Sequence, residues 1–542
     1  MSVWQRADPD QAGDTSPGTA LRQLRGAAQR PLPRWAAVSA WTVAGVLLFG
    51  CYLRLSRTSV VNSDGAGNAL QAWDMLHGNL LLHGWKLSDV SFYTTELPEY
   101  MLVELVLGLN TGVVHVAGAL TYTLLVMAAA LLAKGRATGR AGYTRAAIAG
   151  GIMLAPSLGN GVYTLILSPD HVGTAVPVLV AWLILDRAKP RWYVPVIVGA
   201  MLAWSLVADT LVLYIGILPL ILVGAIRAYQ GAVQQRQPWS AQWYMLSLAA
   251  AAVAATAAAT AMADVLRAAG GYQVRPVLGS LADAAALTSH MWVGVETVLV
   301  LFGADFFGQP FRSVTTVEAL FHLAGLFLAA WAAWISARRF FRDRELVPAL
   351  LLVGLVINLV GFLLSTRVVN VLSAREIAAV LPLGAVLAAR LLSARLAAAR
   401  LMPLLLVVLL GYVAILGQEA MQPAAPAPDQ QLANWLVARH FHDGLAGYWD
   451  ASVTTLASQG RVQVSPVCGN ASQFTQGTWE ADASWYDPAR RYANFLVIGG
   501  PGSCSTPTVA QAKTAFGPPE RTYRVAGYQV LVWPKNLLTR LS

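Results

Sequence analysis

Apolar runs of membrane-crossing length recur along the first 420 residues, separated by short polar connections, and then stop. A helix needs about 20 apolar residues to cross the hydrocarbon core of a bilayer. On that criterion the pattern predicts about eleven spans, with cores near 35–54, 112–133, 146–161, 172–185, 192–208, 210–226, 243–263, 317–336, 346–365, 377–392 and 401–417. Three polar stretches are too long to be simple turns. In the first, 55–111, Leu70, Trp73, Leu76 and Leu80 recur at helical spacing, which predicts an amphipathic helix lying on the membrane surface. The second, 264–316, carries SHMWVGVETVLVLFGADFFGQP, which suits a helix at the interface. The third follows QPAAPAPD at 422–429. There VQVSPV, NFLVIGG, ERTYRVAG and YQVLVWP read as strands, and 429–440 and 507–516 as helices, predicting an α/β domain over 429–542.

Composition turns this pattern into a fold class. The 542 residues are 56% hydrophobic and only 12% charged, which marks a polytopic α-helical membrane protein. The net charge of +10 follows topology. With 1–34 as a cytoplasmic tail, the six inside segments hold 21 of the 38 Lys and Arg residues in 87 positions, as the positive-inside rule requires. We therefore read no nucleic-acid surface in the charge. Only six of the 28 acids fall inside, so the carboxylates gather on the outer side. The reading is N-in and C-out: a membrane domain over 35–420 with outer loops 55–111 and 264–316, and an extracytoplasmic tail domain, in a multi-pass protein of the cell membrane. The polar start, with Arg22, Arg25, Arg30 and Arg34, has no cleavable-signal pattern. Cys51 lies in the first apolar run, whereas Cys468 and Cys504 lie in the tail, where an oxidising exterior allows them to pair.

Candidate chemistry begins at Asp64, a lone carboxylate among Ser63, Gly65, Ala66 and Gly67 just beyond the first span. Small neighbours let another molecule approach it; the alternative is a cap on the helix that follows. Glu96 in SFYTTELPEY and Asp170–His171 in LSPDHVG lie on the same side, where ionisable groups point to a wet cavity or a partner. Together they would hold sugar hydroxyls or a divalent metal; Asp170 as a turn cap is the competing reading. Asp209 occupies a tight outer turn. Arg375 in VLSAREIAAVLP offers a planar fork matched to phosphate oxygens, with a local pair to Glu376 as its alternative. In the tail, Trp449, Trp479, Trp485 and Tyr486 suit either carbohydrate stacking or the core of a small domain. The sequence has no GxxxxGK[ST] loop, no GxGxxG after a strand, no HExxH and no CxxC.

An acid just after the first span, a surface helix reading ALQAWDMLHGN, then SFYTTELP, all on a frame of about eleven spans, together resemble the GT-C superfamily of integral-membrane glycosyltransferases over most of 35–420. The resemblance implies a polyprenyl-phosphate-sugar donor, an acceptor hydroxyl on an envelope glycan, lipid or protein, transfer at the outer face with inversion, and Asp64 as general base. Many family members carry a doublet of acids at this position, whereas here Gly65 follows Asp64, which counts against a metal there. A transporter or lipid flippase, or a non-catalytic envelope scaffold, would share the architecture.

Overall fold

The computed structural model describes residues 33–275, 279–469, 473–499 and 507–541. Among them, nine helices are long and apolar enough to cross a membrane. Eight coincide with predicted spans, from Trp35–Ser56 to Met402–Ala420. The ninth, Ala284–Leu301, lies in the stretch expected to rest at the interface, and its length and composition also allow it to cross. Three expected spans are shorter helices instead: Gly139–Ile152, Ala175–Arg187 and Tyr193–Ala208. Proline and glycine explain two of the truncations. Pro156 and Gly159, at φ +75°, follow the first, and Pro190 follows the second.

Large apolar side chains stay exposed on the outermost helices, Val43, Val46 and Leu47 on the first and Leu404, Val407 and Leu410 on the last. A water-facing surface of that kind would aggregate, and a lipid-facing one has no such penalty. Inside, Tyr52, Tyr122 and Trp182 are fully buried; the two phenols donate to the carbonyls of Leu154 and Met153 at 2.9 and 2.7 Å. Those bonds satisfy two buried carbonyls just beyond the end of the helix at Ile152.

Nine strands are short but decide the architecture: β1 (Trp85–Leu87), β2 (Gln273–Val274), β3 (Asp443–Ala446), β4 (Gln463–Gly469), β5 (Phe474–Gln476), β6 (Ala481–Asp482), β7 (Ala493–Ile498), β8 (Arg521–Val525) and β9 (Tyr528–Val532). The tail domain is a six-stranded sheet in the order β5-β4-β3-β7-β9-β8, parallel at its centre (β4, β3, β7) and antiparallel at both edges. The four predicted strands and two predicted helices are all present; strands β3, β5 and β6 and the helix Tyr448–Ala457 are additional.

A second sheet joins the three long polar stretches. In it β1 of the first loop pairs in parallel with β2 of the second loop, and antiparallel with β6 of the tail, with Lys86 opposite both Gln273 and Ala481. The tail's apolar core is continuous with that loop: Leu445, Val467, Phe474 and Trp533 belong to one cluster with Ala66, Leu70, Leu97 and Tyr100. The proline-rich connection is tied down too, with Ala425 N–H donating to the carbonyl of Arg57 at 2.8 Å. Cys468 is disulfide-bonded and Cys51 is a free thiol; Cys504 lies outside the described residues.

Candidate active site

The helix Ser63–Leu76 is capped by Asn62, whose side-chain oxygen accepts from Gly65 N–H at 3.0 Å. The cap falls to the asparagine, so Asp64 stands in the first turn with its carboxylate uncommitted to its own backbone. A negative charge there also suits the positive end of the helix.

Two partners from distant segments hold it, and a third residue stands behind them. Arg375 Nη1 donates to Asp64 Oδ2 at 2.9 Å, and Tyr448 Oη lies 2.6 Å from Oδ1. The same Tyr448 oxygen is 2.9 Å from Glu480 Oε2. Arg375 does not pair with Glu376. That acid turns to Arg367, whose Nη2 bridges Glu376 at 2.7 Å and Asp89 at 2.5 Å. Arg375 is further held over the ring of Tyr163 at 4.7 Å, and its Nη2 is buried with no partner.

Asp64 lies where two cavities meet. One, of about 170 Å³, is lined by Asp64, Asp89, Asp170, His171, Arg375 and Glu480. The other, of about 570 Å³, runs between the second loop and the tail domain and is lined by Asp64, Arg275, Tyr448, Trp449 and Thr475. Trp479 borders both. With 22% of its side chain exposed, Asp64 is reachable from either.

Four of the five candidate side chains thus converge. Asp170 accepts from Asn68 Nδ2 at 2.7 Å and Ser168 Oγ at 2.6 Å, so it caps no helix, and burial raises its pKa above the ordinary carboxylate value. His171, at φ +60°, points Nδ1 to Asp209 at 2.9 Å. Burial opposes the imidazolium, but the adjacent Asp209 carboxylate outweighs it and pushes the His171 pKa up to about 10. Glu96 is the exception. It is buried behind the cavity, accepts from Thr95, and lies against Gly173, where an added Cβ would come within 2.5 Å of its Oε1. That Oε1 has no partner, and burial holds the carboxyl well above its ordinary pKa.

A divalent cation needs several such groups to aim at one point. Asp170, His171 and Glu96 instead turn to Asn68, Asp209 and Thr95, and among the described residues no group of three His, Cys, Asp or Glu is placed to hold a metal.

The small residues around Asp64 serve a different end from the one expected. A Cβ on Gly65 would meet Val114 at 2.6 Å, and one on Gly67 would meet Glu480 Oε2 at 2.4 Å. They admit the protein's own chain, the tail domain above all. The tail aromatics divide: Trp485 and Tyr486 are core, while Trp449 and Trp479 are half-buried and line the larger cavity. Sequence reasoning missed Tyr448 and Glu480 as site residues, because nothing in GYWDAS or TWEADA marks them until the fold brings them to Asp64.

No protein-family model and no curated protein matches the sequence. Among solved structures, the chain is similar to the oligosaccharyltransferase of Archaeoglobus fulgidus in its apo form, at 14% identity and a TM-score of 0.49, over 86% of this chain and 70% of that one. The same enzyme tethered to an acceptor peptide gives 13%, 0.48, 86% and 69%. The archaeal oligosaccharyltransferase AglB with an inhibitory peptide and a dolichol-phosphate gives 13%, 0.46, 85% and 70%.

Proposed function

We propose that this protein is a membrane glycosyltransferase that moves a sugar from a polyprenyl-phosphate carrier to an acceptor hydroxyl, with Asp64 as general base. The supporting observation is the placement of Asp64 at the junction of two cavities, beside an arginine with an unused buried donor. An acceptor alcohol has far too high a pKa to ionise unaided, and a carboxylate within hydrogen-bond reach that takes its proton during attack contributes on the order of 10²- to 10⁴-fold.

The acceptor enters from the larger cavity and gives its proton to Asp64 as its oxygen attacks the anomeric carbon. The bond from that carbon to the phosphate oxygen breaks on the opposite face, and the phosphate leaves with the electron pair. Arg375 Nη2 meets the charge that develops there, in a site already poised for it. Attack from one side and departure from the other inverts the anomeric configuration. Asp170 and the His171–Asp209 pair line or support the smaller cavity and orient the sugar. The outer face of the cell membrane is the expected location.

The test incubates purified protein with a panel of radiolabelled polyprenyl-phosphate sugars, with and without EDTA. Consumption of one donor, lost in Asp64→Asn while the variant remains folded and inserted, is the expected outcome. Unchanged consumption by that variant would overturn the assignment.

A further inference from the structure

Tyr448 Oη stands 2.6 Å from one carboxyl oxygen, Asp64 Oδ1, and 2.9 Å from another, Glu480 Oε2. Both distances are hydrogen bonds, yet a phenol carries a single hydrogen. Two carboxylates cannot both accept it. One of the two carboxyl groups must therefore bring a hydrogen of its own, and the surroundings say which.

Asp64 has a guanidinium at 2.9 Å and opens to two cavities, so its charge is compensated. Glu480 has neither advantage. It is 2% exposed, its Oε2 is pressed against Gly67, and among the described residues no Arg, Lys or His forms an ion pair with it. The charged groups facing it across the cavity are mostly of its own sign, Asp64, Asp170 and Asp89. The nearby cations are engaged elsewhere: Arg375 with Asp64, Arg367 with Asp89 and Glu376, His171 with Asp209.

We propose that Glu480 is a positioning residue for the base: it remains a neutral carboxylic acid that donates to Tyr448, committing the tyrosine's one hydrogen to Asp64. The chain runs Glu480 O–H to Tyr448 Oη, then Tyr448 O–H to Asp64 Oδ1. Burial, followed by the charges of Asp64 and Asp170, raises the Glu480 pKa well above its ordinary value, in keeping with that geometry.

This inference rests on the reading of Asp64 as the base, but its first test does not need activity. Infrared spectra of the whole protein in lipid nanodiscs at pH 7 are compared between wild type and Glu480→Gln. The wild-type-minus-variant difference should contain a protonated-carboxyl C=O band and no carboxylate pair; carboxylate bands there would overturn the proposal whether or not the protein transfers sugar. Should Glu480→Gln fail to fold, Tyr448→Phe keeps the acid and removes its partner, so the C=O band must move; a band that stays put would also overturn it.

The second test is a pH profile with whichever polyprenyl-phosphate sugar the wild type consumes. Glutamine can still donate an N–H to Tyr448 but cannot titrate, so Glu480→Gln should lose any fall on the alkaline side caused by ionisation of Glu480. Tyr448→Phe strips a donor from the Asp64 carboxylate and loosens its aim, so its kcat should drop about 10- to 100-fold. Profiles superimposable on the wild type in both variants would refute the positioning role. If no donor is consumed by any form, the function reading fails while the infrared result still stands on its own.

Discussion

Arg375 reaches across 311 positions of sequence to donate from Nη1 to Asp64 Oδ2 at 2.9 Å, and keeps its buried Nη2 unused. In the proposed mechanism the pair joins the residue that takes the proton to the residue that meets the leaving group. Substituting either should therefore cost the chemical step. Asp64→Asn is expected to lower kcat by two to four orders of magnitude. Arg375→Lys keeps the charge but not the fork, and should raise the donor KM as well as lower kcat, because a compact ammonium cannot serve carboxylate and phosphate together. Steady-state kinetics with the identified donor measure both.

Gly67→Ala tests how closely the tail domain approaches. The new methyl would lie 2.4 Å from Glu480 Oε2, so the acid or the helix must shift. Overpacking of this kind costs about 1–3 kcal/mol. Thermal unfolding should show the loss, and transfer should fall with it, because displacement of Glu480 also unseats Tyr448. Gly417→Ala serves as the control: a Cβ there meets nothing within 4 Å and its φ is ordinary.

The His171–Asp209 pair gives stability a pH window. The histidine pKa is raised to about 10, so its contribution is complete below the ordinary imidazole value and disappears as pH rises through about 10. Despite opposing burial, the aspartate is lowered by the imidazolium, so its share is present above the ordinary carboxylate value and is lost as pH falls through the lowered one. His171→Ala leaves a carboxylate only 1% exposed without its partner, a cost of about 3–5 kcal/mol. Unfolding temperatures from pH 5 to 11 should fall on the alkaline side for wild type and lose that dependence in the variant.

The tail tryptophans should separate binding from folding. Trp485→Ala removes a core side chain that stacks edge-on to Trp85 at 5.1 Å, and should cost about 3–5 kcal/mol. Trp449→Ala and Trp479→Ala remove half-buried rings from the larger cavity and should raise the acceptor KM with little change in unfolding temperature. Equal destabilisation by all three would place every ring in the core.

Long apolar runs were legible because a 20-residue stretch leaves a helix few alternatives in lipid. Two of the three shortened helices were not, since Pro156, Gly159 and Pro190 sit inside or beside runs whose average hydropathy conceals them. At the site, Asp64, Asp170, His171 and Arg375 stood out as ionisable groups at the rim, and they line one cavity. Their partners did not stand out. Arg375 had an acid beside it in sequence, Glu376, yet it pairs with Asp64, while Glu376 serves Arg367. Glu96 looked like a member of the group and instead faces Gly173. Local spacing carries none of this, because it depends on which glycines admit which neighbours across the fold.

The small sheet formed by β2, β1 and β6 has a temporal implication. Strand β1 leaves the ribosome some four hundred residues ahead of β6, and for that whole interval the loop bearing Asp64 has an unpaired edge and no phenol beside its carboxylate. The candidate site is complete only when translation reaches the neighbourhood of Asp482. On the proposed function, a nascent or prematurely stopped chain is thus inserted but inert.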